Sequence, residues 1–168
     1  MPFTQIAEAQ LTPNAVVYAH GWQSWSPTGS YRLGERAPHA SSPARQIMGY
    51  RPELHAPDEG FQGEGLLALD PGDGGPIRVW SALDPRLAIP SIRLAQTGDR
   101  ITITTNGDAR EESYAGVGLE QALARWAGAL AGRLGVGALP SIPPIWCTWY
   151  QYYTQVTEAD VLENLAAI

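Results

Sequence analysis

Two pairs of short apolar segments, each joined by a turn, constrain this chain more than any other feature. Gly65-Leu-Leu-Ala-Leu69 and Ile77-Arg-Val-Trp-Ser-Ala82 flank Asp70-Pro-Gly-Asp-Gly-Gly-Pro76, whose residues reach positive φ or pre-set a turn. Ser91-Ile-Arg-Leu-Ala95 and Arg100-Ile-Thr-Ile-Thr-Thr105 flank Gln96-Thr-Gly-Asp99 in the same way. Ile101 and Ile103 alternate with Thr102 and Thr104, the period of a strand with one buried face. Ala15-Val-Val-Tyr18 reads as a further strand. Hairpins repeating at this short spacing predict an antiparallel β-sandwich over residues 1–117. Within it, Gly34 to Gly60 reads as loop, broken by Pro38, Pro43, Pro52 and Pro57.

The period changes after Gly118. Leu119, Ala122, Leu123, Trp126, Ala127 and Leu130 fall on one helical stripe, and Gly132, Gly135 and Gly137 end it. Residues 118–141 are therefore a helix and linker. Residues 142–168 read as a βα unit. Trp146-Cys-Thr-Trp-Tyr150 is its apolar, aromatic strand, and a polar–aromatic loop follows. Thr157 is placed to cap the helix, with Asp160 as the acidic half of a capping box and Glu158 beside it on the positive end of the helix dipole. Val161, Leu162, Leu165 and Ile168 recur on one helical face. A parallel strand needs neighbours. The chain is thus expected to stop inside the helix, with the rest of a parallel sheet or barrel missing.

Charge and composition exclude several functions. A net charge of −6 argues against nucleic acid, which calls for a basic face. The one cysteine, Cys147, rules out an internal disulfide or a cysteine-based metal cluster, and an inert core thiol is the expectation for it. His20, His39 and His55 lack metal-ligand spacing, so no metal and no cofactor is implied. No apolar run approaches a membrane span, and Met-Pro-Phe-Thr-Gln does not open a signal peptide, which points to the cytoplasm. Gly72 to Gly75 joins two antiparallel strands with no helix after it, so it is a turn and not a phosphate loop. Glu111 and Glu112 diverge in an extended segment and read as a solvated edge. No carboxylate pair is placed for acid–base work.

Six tryptophans and seven tyrosines against two phenylalanines form the informative bias, because an aromatic with a polar handle suits a partly exposed binding surface. Two stretches concentrate it. In His20-Gly-Trp-Gln-Ser-Trp-Ser-Pro27, Trp22 and Trp25 sit in a tight loop after the first strand candidate, free to meet a ligand or to plug the core. In the strand from Trp146 to Tyr150, alternation puts Trp146, Thr148 and Tyr150 on one side and Cys147 and Trp149 on the other. If this strand begins a barrel, Trp149 and Tyr150 lie at its C-terminal end, where barrel active sites form.

Gly21-Trp-Gln-Ser-Trp-Ser26 resembles the tryptophan-rich motif of the N-terminal sandwich in glycoside hydrolase family 36. Pro144-Ile-Trp-Cys-Thr-Trp-Tyr-Gln-Tyr-Tyr-Thr-Gln-Val-Thr-Glu-Ala-Asp-Val-Leu-Glu-Asn-Leu165 resembles that family's entry into its (β/α)8 barrel. The resemblance implies a mainly β fold: a sandwich, a linker helix and the first βα unit of a truncated barrel. It implies the N-terminal part of a retaining α-galactosidase, with Trp149 and Tyr150 lining the galactose subsite and Trp22 or Trp25 closing it from above. Trp25 is favoured, since Pro27 turns the chain outward. In such enzymes two carboxylates about 5–5.5 Å apart act as nucleophile and as acid then base. Both belong to later barrel strands, so these residues hold no catalytic group and are expected to be inactive alone. Gln151 departs from the family, which often has an aromatic there. A non-catalytic carbohydrate-binding sandwich and a galactosyltransferase of the raffinose synthase type are the competing readings.

Overall fold

Leu66, Leu67, Ala68 and Leu69 are all buried, which a strand achieves only when both faces of its sheet are covered. The computed structural model supplies both covers. It describes every residue except Met1, Leu11, 23–26, 38–50, Pro52, Pro144 and 167–168. The chain forms two compact units, Met1–Gly135 and Val136–Ile168.

Among the described residues the first unit holds nine strands in chain order: β1 (Thr4–Gln10), β2 (Val16–Ala19), β3 (Gly29–Arg32), β4 (Phe61–Glu64), β5 (Leu66–Asp70), β6 (Ile77–Ala82), β7 (Ser91–Thr97), β8 (Arg100–Thr105) and β9 (Ala109–Tyr114). One sheet runs β1-β8-β7-β4 and the other β3-β2-β5-β6-β9, with every pairing antiparallel. Between them pack Val17, Phe61, Leu67, Leu69, Trp80, Ile92, Leu94, Ile101 and Ile103, fed by alternate positions of both sheets. Helix α1 (Leu119–Leu134) covers the far side of the second sheet: Ala122 is buried there with Leu66, Ala68, Ile77 and Val79, and Leu119, Leu123 and Trp126 pack round it. The first four positions of the predicted stripe thus meet the sheet while Ala127 is exposed, and the helix is a third layer of the first unit.

Both predicted hairpins form. Thr97 pairs with Arg100 across a two-residue turn whose first central residue, Gly98, has φ +62°, as a primed hairpin turn requires. In the longer connection Asp70 and Asp73 accept from the amides of Gly72 and Gly75. Gly135, at φ +67°, ends α1 as its left-handed C-cap. β1, β3 and β4 lie outside the segments read as strands, and β9 carries the extended edge of Glu111 and Glu112. β4 and β5 are one run that changes sheet at Gly65, φ +74°, whose amide donates to Pro90 O (2.8 Å) and whose carbonyl accepts from Ala82 N (2.9 Å). The glycine bend at a sandwich corner is a known device for moving a strand between sheets.

In the second unit the expected strand over Trp146–Tyr150 is absent. Among the described residues, 136–148 carry no helix or strand, and Trp149–Tyr152 is a helical turn, α2, with Gln151 N and Tyr152 N donating to Thr148 O. Tyr153–Gln155 continues as a 3-10 turn. The physical reason is the one that makes a lone strand costly: its backbone groups have no second strand to pair with inside this unit, whereas a helical turn satisfies them locally. Helix α3 (Glu158–Leu165) forms with its capping box as read from the sequence: Thr157 N donates to Asp160 Oδ2 (2.8 Å) and Asp160 N to Thr157 Oγ1 (3.3 Å).

Candidate functional site

Trp22 follows β2 directly. The root of its segment, His20, is held on both sides at the sandwich corner: His20 N donates to Leu66 O (3.2 Å), and Glu64 N donates to His20 O (2.8 Å). On the returning limb Thr28 Oγ1 accepts from Gly21 N (2.9 Å). Trp22 is 49% exposed, so it does not plug the core; that place belongs to Trp80, which is fully buried and donates its indole N–H to Glu111 (3.0 Å). Trp25 lies outside the described residues.

Trp149 and Tyr150 belong to the second unit, in the single turn α2. Trp149 is half-exposed and meets Tyr153 edge-on, with ring centroids 5.7 Å apart and planes at 71°. That is a favourable geometry for two quadrupolar rings. Tyr150 is 86% exposed, so its ring is open to solvent on nearly every side. Because α2 is helical, the strand alternation expected at Trp146–Tyr150 does not apply. Cys147 is exposed and not a core thiol. Gln151 Nε2 donates to the hydroxyl of Tyr152 (3.2 Å), which also accepts from Asn164 Nδ2 (2.8 Å) and so ties α2 to α3.

The adjacent glutamates of β9 do diverge, but each finds a partner. Glu111 lies under Arg78, with Nε–Oε1 at 2.6 Å and a second hydrogen bond at 3.0 Å, and Arg78 also reaches Glu8 O on β1 (2.6 Å). Arg78 thus closes one open edge of the sandwich and, with Trp80 assisting, holds the Glu111 carboxyl below its usual range. Glu112 accepts from Tyr114 and pairs with Arg133 of α1 (3.1 Å). Burial first, and then this hydrogen bond, push the Tyr114 phenol up to about 12.

A third polar cluster was not foreseen. Glu64 is buried, and its carboxylate accepts from Ser91 Oγ (2.7 Å) and from Gln62 Nε2 (2.7 Å). Gln62 Oε1 accepts from Arg93 Nε (2.7 Å), and the Arg93 guanidinium stacks 3.9 Å over Phe3 and donates to His55 O. Burial pulls the Arg93 pKa down, against the attraction of Glu64. The available signal was the i, i+2 spacing of Gln62 and Glu64 on a strand; the Gly63 between them hid the strand.

Among the described residues no group of three or more His, Cys, Asp and Glu side chains could hold a metal ion, and no helix is long and apolar enough to cross a membrane. A cleft of about 540 Å³ between Leu33, Glu35, Gly60 and Gln96, and another of about 560 Å³ between Ile6, Leu83 and Asn106, contain none of the expected site residues. In comparisons with known proteins, no family model, no curated protein and no solved structure matches the chain.

Proposed function

We propose that this chain is the N-terminal part of a retaining α-galactosidase, supplying walls of a galactose pocket and none of its chemistry. The observation that carries the reading is the likeness of residues 144–165 to the barrel entry of glycoside hydrolase family 36, together with the exposure of Trp149 and Tyr150 within that stretch. An exposed ring is free to cover the apolar C–H face of a sugar, and the Tyr150 hydroxyl is free to pair with a sugar hydroxyl. Trp22, half-exposed within the tryptophan-rich motif, is the matching element of the sandwich, with Trp25 as its partner in the motif. Residues 142–168 then serve as the first strand and helix of a (β/α)8 barrel, taking strand geometry at 146–150 when later strands pair with it. The nucleophile and the acid/base residue belong to those strands, about 5–5.5 Å apart. The working compartment is the cytoplasm.

The test is kinetic. In the complete gene product, Trp25→Ala and Trp149→Ala should each lower kcat/KM for a nitrophenyl α-galactoside. Unchanged kinetics in both would overturn the assignment of the pocket. A carbohydrate-binding sandwich without catalysis is favoured by one observation, that the first unit closes a core of its own. That reading predicts sugar binding by residues 1–135 with no turnover in the complete product.

A further inference from the structure

Glu64 is the one charged side chain among the described residues that is buried, at 9% exposure. A carboxylate removed from water is costly unless it is well hydrogen-bonded, and an apolar residue of similar volume is often no less stable. Its surroundings offer a use for it. The side chain is clamped by Ser91 on one side and Gln62 on the other, both at 2.7 Å. Ser91 is itself fixed, since its amide donates to Asn106 Oδ1 (2.8 Å) in the β8–β9 turn. Gln62 is fixed by Arg93. The backbone amide of Glu64 donates to His20 O, two residues before Trp22, and Leu66 O receives His20 N. There is no slack at this point: a Cβ on Gly63 would stand 2.1 Å from Leu66 O and 3.3 Å from His20 N.

We propose that Glu64 is a positioning residue for Trp22: its carboxyl group, held by Ser91 and Gln62, sets the direction of the Glu64 amide and through His20 fixes the indole. The network spans β4, β7 and the β8–β9 turn, so the root of the aromatic segment is referenced to three elements of the sandwich and not to its own loop alone. The consequence for sugar binding rests on reading Trp22 as sugar-facing; the positioning itself does not.

The test reads the indole directly, without any sugar, in the full 168-residue chain. The indole N–H signal of Trp22 is identified in isotope-labelled protein by Trp22→Phe, and Trp80 serves as the core reporter. In Glu64→Gln the Trp22 signal should move and its order parameter fall. The His20 amide should exchange with solvent ~tenfold faster or more, as expected when a local tie is weakened, while the Trp80 signal stays in place. A purely structural role would shift both indoles or neither. Unchanged Trp22 and His20 signals beside an unchanged Trp80 would overturn the proposal. If Glu64→Gln disperses the Trp80 signal, Ser91→Ala, which keeps the carboxyl group and removes one clamp, is read by the same two signals and decides it. A loss of sugar affinity in the complete protein with these signals intact would count against the positioning and leave the pocket reading standing.

Discussion

The two units treat the same kind of residue in opposite ways. In residues 1–135 a core set of large apolar side chains converges: Trp80, Leu67, Ile92, Ile101 and Ile103 are all fully buried. In residues 136–168 they do not: Leu139, Ile142, Ile145, Tyr150 and Leu165 are exposed by more than half, and no described residue of α2 or α3 is buried. The first unit has two sheets and a helix to form layers. The second has a capped helix, a helical turn and irregular chain, and offers its apolar groups no second layer. Local signals such as the Thr157 capping box act without tertiary support, whereas a strand does not. That is why the helix forms as read while the strand does not.

Substitutions can break or sharpen this contrast. Trp80→Ala should cost the first unit about 3–5 kcal/mol, the range for emptying a large aromatic site in a packed core. Trp149→Ala should leave the unfolding free energy within about 0.5 kcal/mol of the parent, as for an exposed side chain. Denaturant titrations of the two variants measure both, and similar losses would erase the distinction between the units. Gly63→Ala comes next, at about 1–3 kcal/mol, because its Cβ would meet Leu66 O at 2.1 Å and the corner must shift to admit it.

The ion pair at the sandwich edge gives a smaller, pH-dependent effect. Arg78 depresses the folded-state pKa of Glu111, so the stabilisation is present above the unfolded carboxyl value and is lost as pH falls through the folded one. Arg78→Ala should flatten the acid limb of the stability profile; a profile of unchanged slope would show that the pair is not coupled to folding. Tyr114 works in the opposite direction. Its phenol is raised to about 12, so its contribution holds below the unfolded value of 10.0 and fades as pH rises from there toward 12. The smallest change is Thr157→Ala, about 1 kcal/mol against α3 alone. It should appear as lost helical circular dichroism with the denaturant midpoint of the sandwich unmoved.

Much of the sandwich was legible because its hairpins carry their own turn chemistry and its strands alternate. What escaped notice did so for physical reasons. Phe61-Gln-Gly-Glu64 does not look like a strand, since a glycine and two polar residues fill it, yet the tight approach of the Leu66 carbonyl is what requires that glycine. Thr4–Gln10 and Ala109–Tyr114 are edge strands, whose exposed polar residues mask the pattern. Of the candidate site, the sequence leaves Trp22 open between a ligand-facing ring and a core plug, and the structure leaves it half-exposed. The Glu64 network is hard to read because Gln62 and Glu64 lie far in sequence from Ser91 and Arg93 and meet them only through the β4–β7 register.

The central claim is a division of labour, with sugar-facing aromatics in these residues and catalytic carboxylates beyond them. It is tested most directly by following a nitrophenyl α-galactoside by proton NMR in the presence of residues 1–168 and, in parallel, of the complete gene product. The account predicts no turnover by the first and release of α-galactose, with retention, by the second. Specific turnover by residues 1–168, or β-galactose as the first product of the complete protein, would contradict it.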